Sequence, residues 1–165
     1  MRIIMSLLML VSFAIPWFYK KIVYEYWGYT AYEVSVKVYG FGRISSSAFG
    51  ITFSAWAWSR EGFGSSVYYL GPVILILTLI YFVLQLRPLM PALQTPEVEK
   101  SSPFIGILAL VLGLIYGIKA FDDFKDNVGV SPAPIGFIIF LVFGIITLIL
   151  EFMEWQRPAS AETVW

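Results

Sequence analysis

Hydrophobic residues are concentrated in four long runs, and one long polar stretch separates the first run from the second. Each run has close to the roughly 20 apolar residues that a helix needs to cross a bilayer. This pattern predicts a mainly α-helical integral membrane protein with a bundle of four transmembrane helices. The predicted helices comprise residues 1–19, 68–86, 104–121 and 135–152. We expect a linker at residues 87–103, a short loop at residues 122–134 and a polar tail at residues 153–165.

The first run has two interpretations. It could be a cleaved signal peptide, because Ser12-Phe13-Ala14 resembles a small-residue cleavage site. Such a signal peptide would be shorter than usual, so we interpret the run as a retained transmembrane helix. Its final residues, Pro16-Trp17-Phe18-Tyr19, would then mark the membrane–water interface, where aromatic side chains are enriched.

The polar stretch, residues 20–67, has the period of β-structure. From Tyr32 to Tyr39, apolar and polar residues alternate, which is typical of a half-buried strand. Residues 22–27 and 51–58 alternate in a similar way, and residues 40–47 have the glycine and serine content of a loop. The pattern predicts a small antiparallel sheet of three strands between the first and second helices.

Composition supports the membrane assignment and excludes several classes of function. Hydrophobic residues make up 59% of the 165 residues, and soluble domains have roughly 45–50%; the mean hydropathy is +0.78. The formal net charge is zero, which disfavours binding to nucleic acid. Cysteine and histidine are both absent, which excludes disulfides, thiolate chemistry and metal or haem ligation through imidazole. We therefore predict no enzyme activity, no cofactor and no metal.

The composition also suggests a thermophile source. Asn127 is the only asparagine, and a low content of thermolabile residues is typical of thermophile proteins.

Small residues on the third and fourth runs predict helix packing. They recur at spacings of four, seven or eight residues, which place them on one face of each helix and would let a neighbouring backbone approach closely. The predicted helix-packing residues are Gly106, Ala109, Gly113, Gly117, Gly136 and Gly144.

Aromatic residues are abundant in the predicted sheet. They have two interpretations, which stay open: a surface for contact with a protein partner, since Trp and Tyr dominate interface energetics, or the core of the sheet itself, resting on the membrane. The candidates for partner contact are Trp27, Tyr29, Tyr39, Trp56 and Trp58.

Three aspartates follow the third run. Asp122, Asp123 and Asp126 offer the oxygen ligands that a calcium or magnesium ion prefers. Their spacing matches no calcium-loop pattern, and Lys119 and Lys125 can pair with them. We favour a solvated interfacial loop over a cation site.

Two carboxylates end the fourth run. Glu151 and Glu154 lie three residues apart on one helix face. An interfacial helix end is the favoured interpretation, because a pair of catalytic carboxylates would need a cleft around them. The middle of each run lacks charge, which disfavours a channel or pump formed by this chain alone.

The orientation has opposing indications. Four crossings place both termini on one side, and more lysine and arginine residues fall on the opposite side, which would put the sheet in the cytoplasm. Long loops follow this rule weakly, and Arg2 close to the first run fits an inside start. We predict cytoplasmic termini, an external sheet and location in the cell membrane.

The order of elements resembles the claudin-like family of four-span proteins. That order is one helix, a β-rich first loop at residues 20–67, and three helices with a short second loop. Trp27 could correspond to the first-loop tryptophan of that family, whereas its Gly-Leu-Trp motif and its two first-loop cysteines are absent. The resemblance implies a tetraspan bundle with an extracellular sheet.

These features favour a non-catalytic structural protein. We expect adhesion or scaffolding through lateral self-assembly or through protein–protein interaction with other membrane subunits, in contact with the lipid bilayer. The alternative is an accessory subunit of a membrane-bound respiratory or other enzyme complex, whose cofactors would then lie in other chains. A third hypothesis, a lipid- or quinone-binding tetraspan enzyme, has no supporting set of residues.

Overall fold

Four helices and a four-stranded antiparallel sheet make up the described parts of the chain. The computed structural model describes residues 1–57, 66–90 and 93–156. The first helix is followed by all four strands and then by the other three helices. In chain order the elements are α1 (Arg2–Val11), β1 (Pro16–Tyr26), β2 (Tyr29–Tyr39), β3 (Arg43–Ala48), β4 (Ile51–Trp56), α2 (Leu70–Gln85), α3 (Pro96–Val128) and α4 (Ile135–Trp155).

Within the described residues, three helical segments are long and apolar enough to cross a membrane: Val67–Gln85, Pro96–Val128 and Ile135–Trp155. The most apolar 18-residue stretch of each segment has a mean hydropathy of 2.3, 2.2 and 2.7, respectively. Only 33–39% of each of these stretches is buried inside the molecule. Most of their apolar side chains therefore face outward, as lipid-facing side chains do.

The first run differs from the transmembrane helix predicted for residues 1–19. Its helical part is the shorter apolar segment Arg2–Ala14, and residues from Pro16 onward form β1. The reason is local, because proline removes an amide donor and restricts the residue before it to extended backbone. Ile15 has the expected extended dihedral angles, φ −97° and ψ 141°.

The helix and the start of β1 together run along α4 from end to end. At one end, Arg2 Nη2 lies 2.8 Å from Glu154 Oε2. At the other end, Tyr19 exchanges two backbone hydrogen bonds with Ala133, of 3.1 and 2.8 Å. The 21 residues of α4 correspond to about 32 Å at the usual helical rise. The extended backbone beside α4 must have its polar groups satisfied inside the protein, since Trp17 and Phe18 are fully buried.

Helix α3 is longer than the predicted span of residues 104–121. It includes much of the predicted linker at its start and part of the predicted loop at its end. Thr95 caps the start, accepting a hydrogen bond from the Val98 amide, and Pro96 occupies the first turn, where proline is favoured. Gly129 ends the helix with a φ of 73°, a left-handed conformation that glycine adopts readily.

The sheet has four strands in the order β1-β2-β3-β4, where three were expected. Strand β2 contains the predicted alternating segment. Strand β3 lies in the predicted loop, since its three serines resemble a loop by composition. In the sheet these serines pair with neighbours on both sides, and Ser47 shares a 2.6 Å hydroxyl contact with Ser35. Pairing in the tertiary structure overrides their weak strand propensity.

The core lies where β1 enters the bundle. Trp17 is the central residue, with ring centroids 4.8 Å from Phe140, 5.5 Å from Phe137 and 5.2 Å from Phe13. Glycines provide the room, because a Cβ atom at Gly40 would overlap the indole. The backbone carbonyl oxygens of residues 15 and 16 pack directly against Gly136.

The glycines of α3 receive side chains rather than another backbone. Gly113 faces the ring of Phe140, and Gly117 faces the ring of Phe137, so that a Cβ atom at either position would overlap a ring. Gly106 is filled in the same way by Tyr81 and Leu148. Ala109 is fully buried. On α4, Gly144 accommodates Leu110 of α3 and Met9 of α1. A close approach of another backbone, as expected from the spacing, is found at Gly136.

We expect Gly113→Leu to destabilise the helix bundle by about 1–3 kcal/mol, because an added side chain must displace the Phe140 ring. Thermal unfolding in mild detergent, followed by circular dichroism, measures the change. Leu114→Phe is the matched control, since Leu114 points outward and has room for a larger side chain. Equal melting temperatures for the two variants would contradict the packing role of this glycine.

Candidate functional site

The sheet has one apolar face and one polar face. Cross-strand pairs Ile22–Val34, Tyr24–Tyr32 and Val34–Ala48 place apolar residues of three strands side by side. Strand β4 continues this surface through Ile51, which pairs with Ala48. The apolar residues of this surface, which we call the apolar sheet face, include Phe18, Ile22, Tyr24, Tyr32, Val34, Val38, Ile44, Ala48, Ile51 and Phe53. Lys20 and Ser46 lie on the same face.

The opposite face carries charges and hydroxyls. Lys21 Nζ lies 2.7 Å from Glu33 Oε2. The hydrogen bond to Glu33 raises the pKa of Lys21, which keeps the ammonium charged at neutral pH. Hydroxyls of Ser35, Ser47 and Thr52 line the same shallow groove.

Burial of the apolar sheet face changes along the strands. At the end of the sheet nearest the helices, Phe18, Val38 and Ile44 are buried in the core. Farther from the helices, Tyr24, Ile51 and Phe53 are 43–57% exposed. The bundle therefore covers one end of this face, and the far end displays apolar side chains outside the bundle.

Both hairpins at the far end turn through an aromatic–glycine pair. Tyr26 pairs with Tyr29 across Trp27-Gly28, and Ala48 pairs with Ile51 across Phe49-Gly50. All four turn residues have positive φ: 53° and 77° in the first turn, 52° and 75° in the second. Positive φ at both central positions is characteristic of a type I′ turn.

Trp27 and Phe49 occupy positions that bulky residues rarely adopt. The first position of a type I′ turn favours Asn, Asp or Gly, since a left-handed conformation costs other L-residues about 1–2 kcal/mol. Strain of this kind is concentrated at functional sites. The two rings stand clear of the core together with their tyrosine neighbours, at 71–83% exposed. These four residues, the aromatic tips, are Tyr26, Trp27, Tyr29 and Phe49.

The predicted partner-contact residues do not form one surface. Trp27 and Tyr29 belong to the aromatic tips. Tyr39 and Trp56 lie at the end near the helices, on either side of Phe41, with ring centroids 5.5 and 6.2 Å from it. The Tyr39 carbonyl also accepts a hydrogen bond from Tyr116 Oη. Trp58 lies outside the described residues.

Sequence reasoning missed Phe49, Ile51 and Phe53. The signal was present in Phe49-Gly50, an aromatic–glycine pair directly before an alternating segment. Glycine at the second central position of a two-residue turn is a hairpin signal. The flanking serines concealed it, because they resembled a long loop.

A second cluster of functional groups lies at the opposite end of the bundle. Glu151 is only 2% exposed. Its Oε2 accepts a 2.9 Å hydrogen bond from Tyr81 Oη, and its Oε1 lies 3.5 Å from Arg87 Nη1. Gln85 Nε2 donates to Ser102 Oγ at 3.1 Å, and both residues are fully buried. Polar contacts of this cluster therefore join α2 to α3 and α4.

The two carboxylates of α4 have different environments. Glu154, which pairs with Arg2, has a side chain 46% exposed, as an interfacial helix end would have. Glu151 is instead a buried partner of Tyr81 and Arg87. The pattern did not predict this difference, because the partners, Tyr81 on α2 and Arg87 just after it, approach only in the tertiary structure.

The three aspartates lie in the last turns of α3 and not in a loop. Asp123 is almost fully buried and pairs with Lys119, whereas Asp122 and Asp126 are exposed. Among the described residues, no group of three acidic side chains is arranged to hold a metal ion.

Comparisons of this chain with protein-family models, with curated proteins and with solved structures found no match.

We expect Trp27→Asn to stabilise the protein by about 1 kcal/mol, because asparagine tolerates the left-handed conformation that strains tryptophan. Tyr29→Asn is the matched control, since Tyr29 is equally exposed but is not among the residues with positive φ. Thermal unfolding in detergent compares the two variants. A lower melting temperature for Trp27→Asn than for Tyr29→Asn would contradict the strain at this turn.

Removal of one α4 carboxylate should matter far more than removal of the other. Glu151→Ala leaves the side chain of Arg87, only 13% exposed, without its anionic partner. We expect a loss of about 3–5 kcal/mol. Glu154→Ala removes a half-exposed partner and should cost less than about 1 kcal/mol. Unfolding in a detergent titration measures both, and similar losses for the two variants would disprove the distinction.

Proposed function

We propose that this chain is a non-catalytic membrane protein that acts in adhesion or scaffolding. The helices anchor it in the bilayer, and the sheet makes contact with copies of the chain or with other membrane proteins. The observation that carries the proposal is the exposed half of the apolar sheet face, which lies outside the bundle.

Exposed apolar area has a different meaning on the sheet and on the helices. On the helices, lipid covers it. On an extramembrane sheet, a contiguous apolar patch of several side chains is unfavourable in water and typically marks an interaction surface. Tyr24, Ile51 and Phe53 belong to such a patch, because register places them on one face.

The proposed topology has four crossings: the three long apolar helices and, in addition, the first run of the chain. This rests on the contacts of that run at both ends of α4, through Arg2 and through Tyr19. The termini would be cytoplasmic and the sheet would lie outside the cell membrane. This topology retains the likeness to the claudin-like layout.

A non-catalytic role is supported by the residues available for chemistry. The chain lacks cysteine and histidine. Its buried carboxylate, Glu151, is held by Tyr81 and Arg87. These contacts suit a structural role, in which Glu151 holds the end of α4 against the end of α2.

A second candidate function is that of an accessory subunit in a respiratory or other membrane enzyme complex. One observation favours it, an apolar groove of about 340 Å³ between α3 and α4. Pro103, Phe104 and Ile107 line one side, and Phe152 and Trp155 line the other. A side chain or helix of a larger subunit would fit there.

Purification from the native membrane in a gentle detergent, with mass spectrometry of the co-purified proteins, tests both functions. The sheet variant Ile51→Ser with Phe53→Ser should lose its protein partner, or its self-association, by at least about tenfold. The matched variant in the groove, Phe104→Ser with Ile107→Ser, should retain it.

The reverse outcome identifies the other function. Loss of partners in the groove variant alone, together with recovery of redox-active subunits by the native chain, would favour the accessory subunit. Unchanged partners in the sheet variant would overturn the proposal that this face makes the contact.

A further inference from the structure

The aromatic tips differ from the apolar sheet face in shape and in composition. The rings lie at or beside a two-residue turn at the end of the sheet. Trp27 is 83% exposed, and the Phe49 ring centroid lies 5.0 Å from that of Tyr32. The turns and the residues that flank them are Tyr26-Trp27-Gly28-Tyr29 and Ala48-Phe49-Gly50-Ile51, and neither segment contains a charged residue. Two uncharged turns with exposed aromatic residues thus lie at one end of the sheet.

We propose that the aromatic tips insert into the interfacial layer of an opposing lipid bilayer. This inference goes beyond the proposed function, since the partner is a lipid surface and the contact is made by the tips. Trp and Tyr are the residues enriched at bilayer interfaces, where the ring is in an apolar layer and the polar atom reaches water. The tip residues themselves carry no charge, and the nearest charged residue in the sequence is Glu25, directly before Tyr26.

A bilayer fits these projections better than a protein pocket does. Hot spots of protein interfaces combine Trp and Tyr with Arg and need a shaped, desolvated pocket around them. The tips carry no arginine, and their rings are 71–83% exposed. A fluid interface accepts such rings without complementary shape. Insertion into a bilayer would explain why the strained backbone at Trp27 and Phe49 is retained, since it places an exposed aromatic ring at each turn.

The distance from the helices favours an opposing bilayer over the one that holds the chain. Tyr19 pairs with Ala133, so it marks the level at which α4 begins. From Tyr19 to Trp27 the strand extends about 26 Å at the usual rise per residue. Exposure increases along β1 in the same direction, from buried Phe18 to fully displayed Tyr26. The tips are therefore at the end of the sheet farthest from the spanning helices.

The test uses the full-length protein in nanodiscs, mixed with neutral phosphatidylcholine vesicles. Flotation on a density gradient measures the fraction of nanodiscs that the vesicles carry. The double variant Trp27→Asn with Phe49→Asn should lower this fraction by about tenfold or more, since burial of even one aromatic ring corresponds to about a factor of ten. Asparagine suits both turn positions, so the sheet should stay folded.

Leu89→Asn is the matched control, because it removes an exposed apolar side chain at the opposite end of the bundle. Co-flotation of the native protein and of this control, with loss in the double variant, is the expected result. Equal co-flotation of the double variant, or no co-flotation of the native protein, would overturn the proposal. Loss of co-purified protein in the double variant, without any vesicle binding, would assign the tips to a protein partner instead.

A single label identifies which bilayer is contacted. The chain has no cysteine, so Thr30→Cys next to the first tip can carry a polarity-sensitive dye. Brominated lipid placed only in the vesicles should quench the dye, and brominated lipid placed only in the nanodisc should not. Quenching from the nanodisc alone would overturn the opposing-bilayer assignment. The sheet variant Ile51→Ser with Phe53→Ser reports on protein partners independently, so that failure of either proposal can be recognised separately.

Discussion

The packing of Trp17 is the interaction on which the rest of the structure depends. Here the chain changes from helix to strand while still alongside α4, and extended backbone at this depth must have its polar groups bonded inside the protein. Strand β2 pairs with one edge of β1, and Ala133 bonds both polar groups of Tyr19 at the other. The indole fills the space left by Gly40 and Gly136. Without this filled junction, the strand could not begin within the bundle.

Entry of β1 into the bundle determines how the sheet is displayed. Because one end of the sheet is held among the helices, its apolar face begins as core at Phe18 and Val38 and continues beyond the reach of the helices. The turns at the far end then lie away from the bundle. The exposure of the two surfaces used in the proposals, the apolar sheet face and the aromatic tips, is thus a consequence of how the sheet is anchored.

Ion pairs join the helices at the opposite end of the bundle. Glu151 has its partners on α2 and directly after it, whereas Arg2 of α1 pairs with Glu154. Buried ion pairs contribute little net stability, but an unpaired buried charge is costly. Such contacts therefore favour one alignment of the helices. In the proposed membrane topology, outward-facing apolar side chains of the helices have lipid as their solvent, whereas those of the sheet do not. That difference is why we assign the contacts to the sheet.

Local patterns in the sequence were sufficient to determine the broad architecture. Of the four spans predicted from long apolar runs, three correspond to helices long and apolar enough to cross a membrane. Strict alternation around Val34 predicted an antiparallel sheet between the first and second helices. Both depend on neighbouring residues alone, so they are visible in the sequence. The break at Pro16 was also a local signal, although it was interpreted as the edge of the membrane. Only the tertiary structure decided that the residues after this break pair with β2 as a strand, that the α3 glycines contact rings of α4, and that Glu151 is buried while Glu154 is not. Each of these depends on side chains or strands distant in sequence, which no local pattern contains. The same holds for the two aromatic tips, because strand register brought Trp27 and Phe49 to one end of the sheet and separated them from Tyr39 and Trp56.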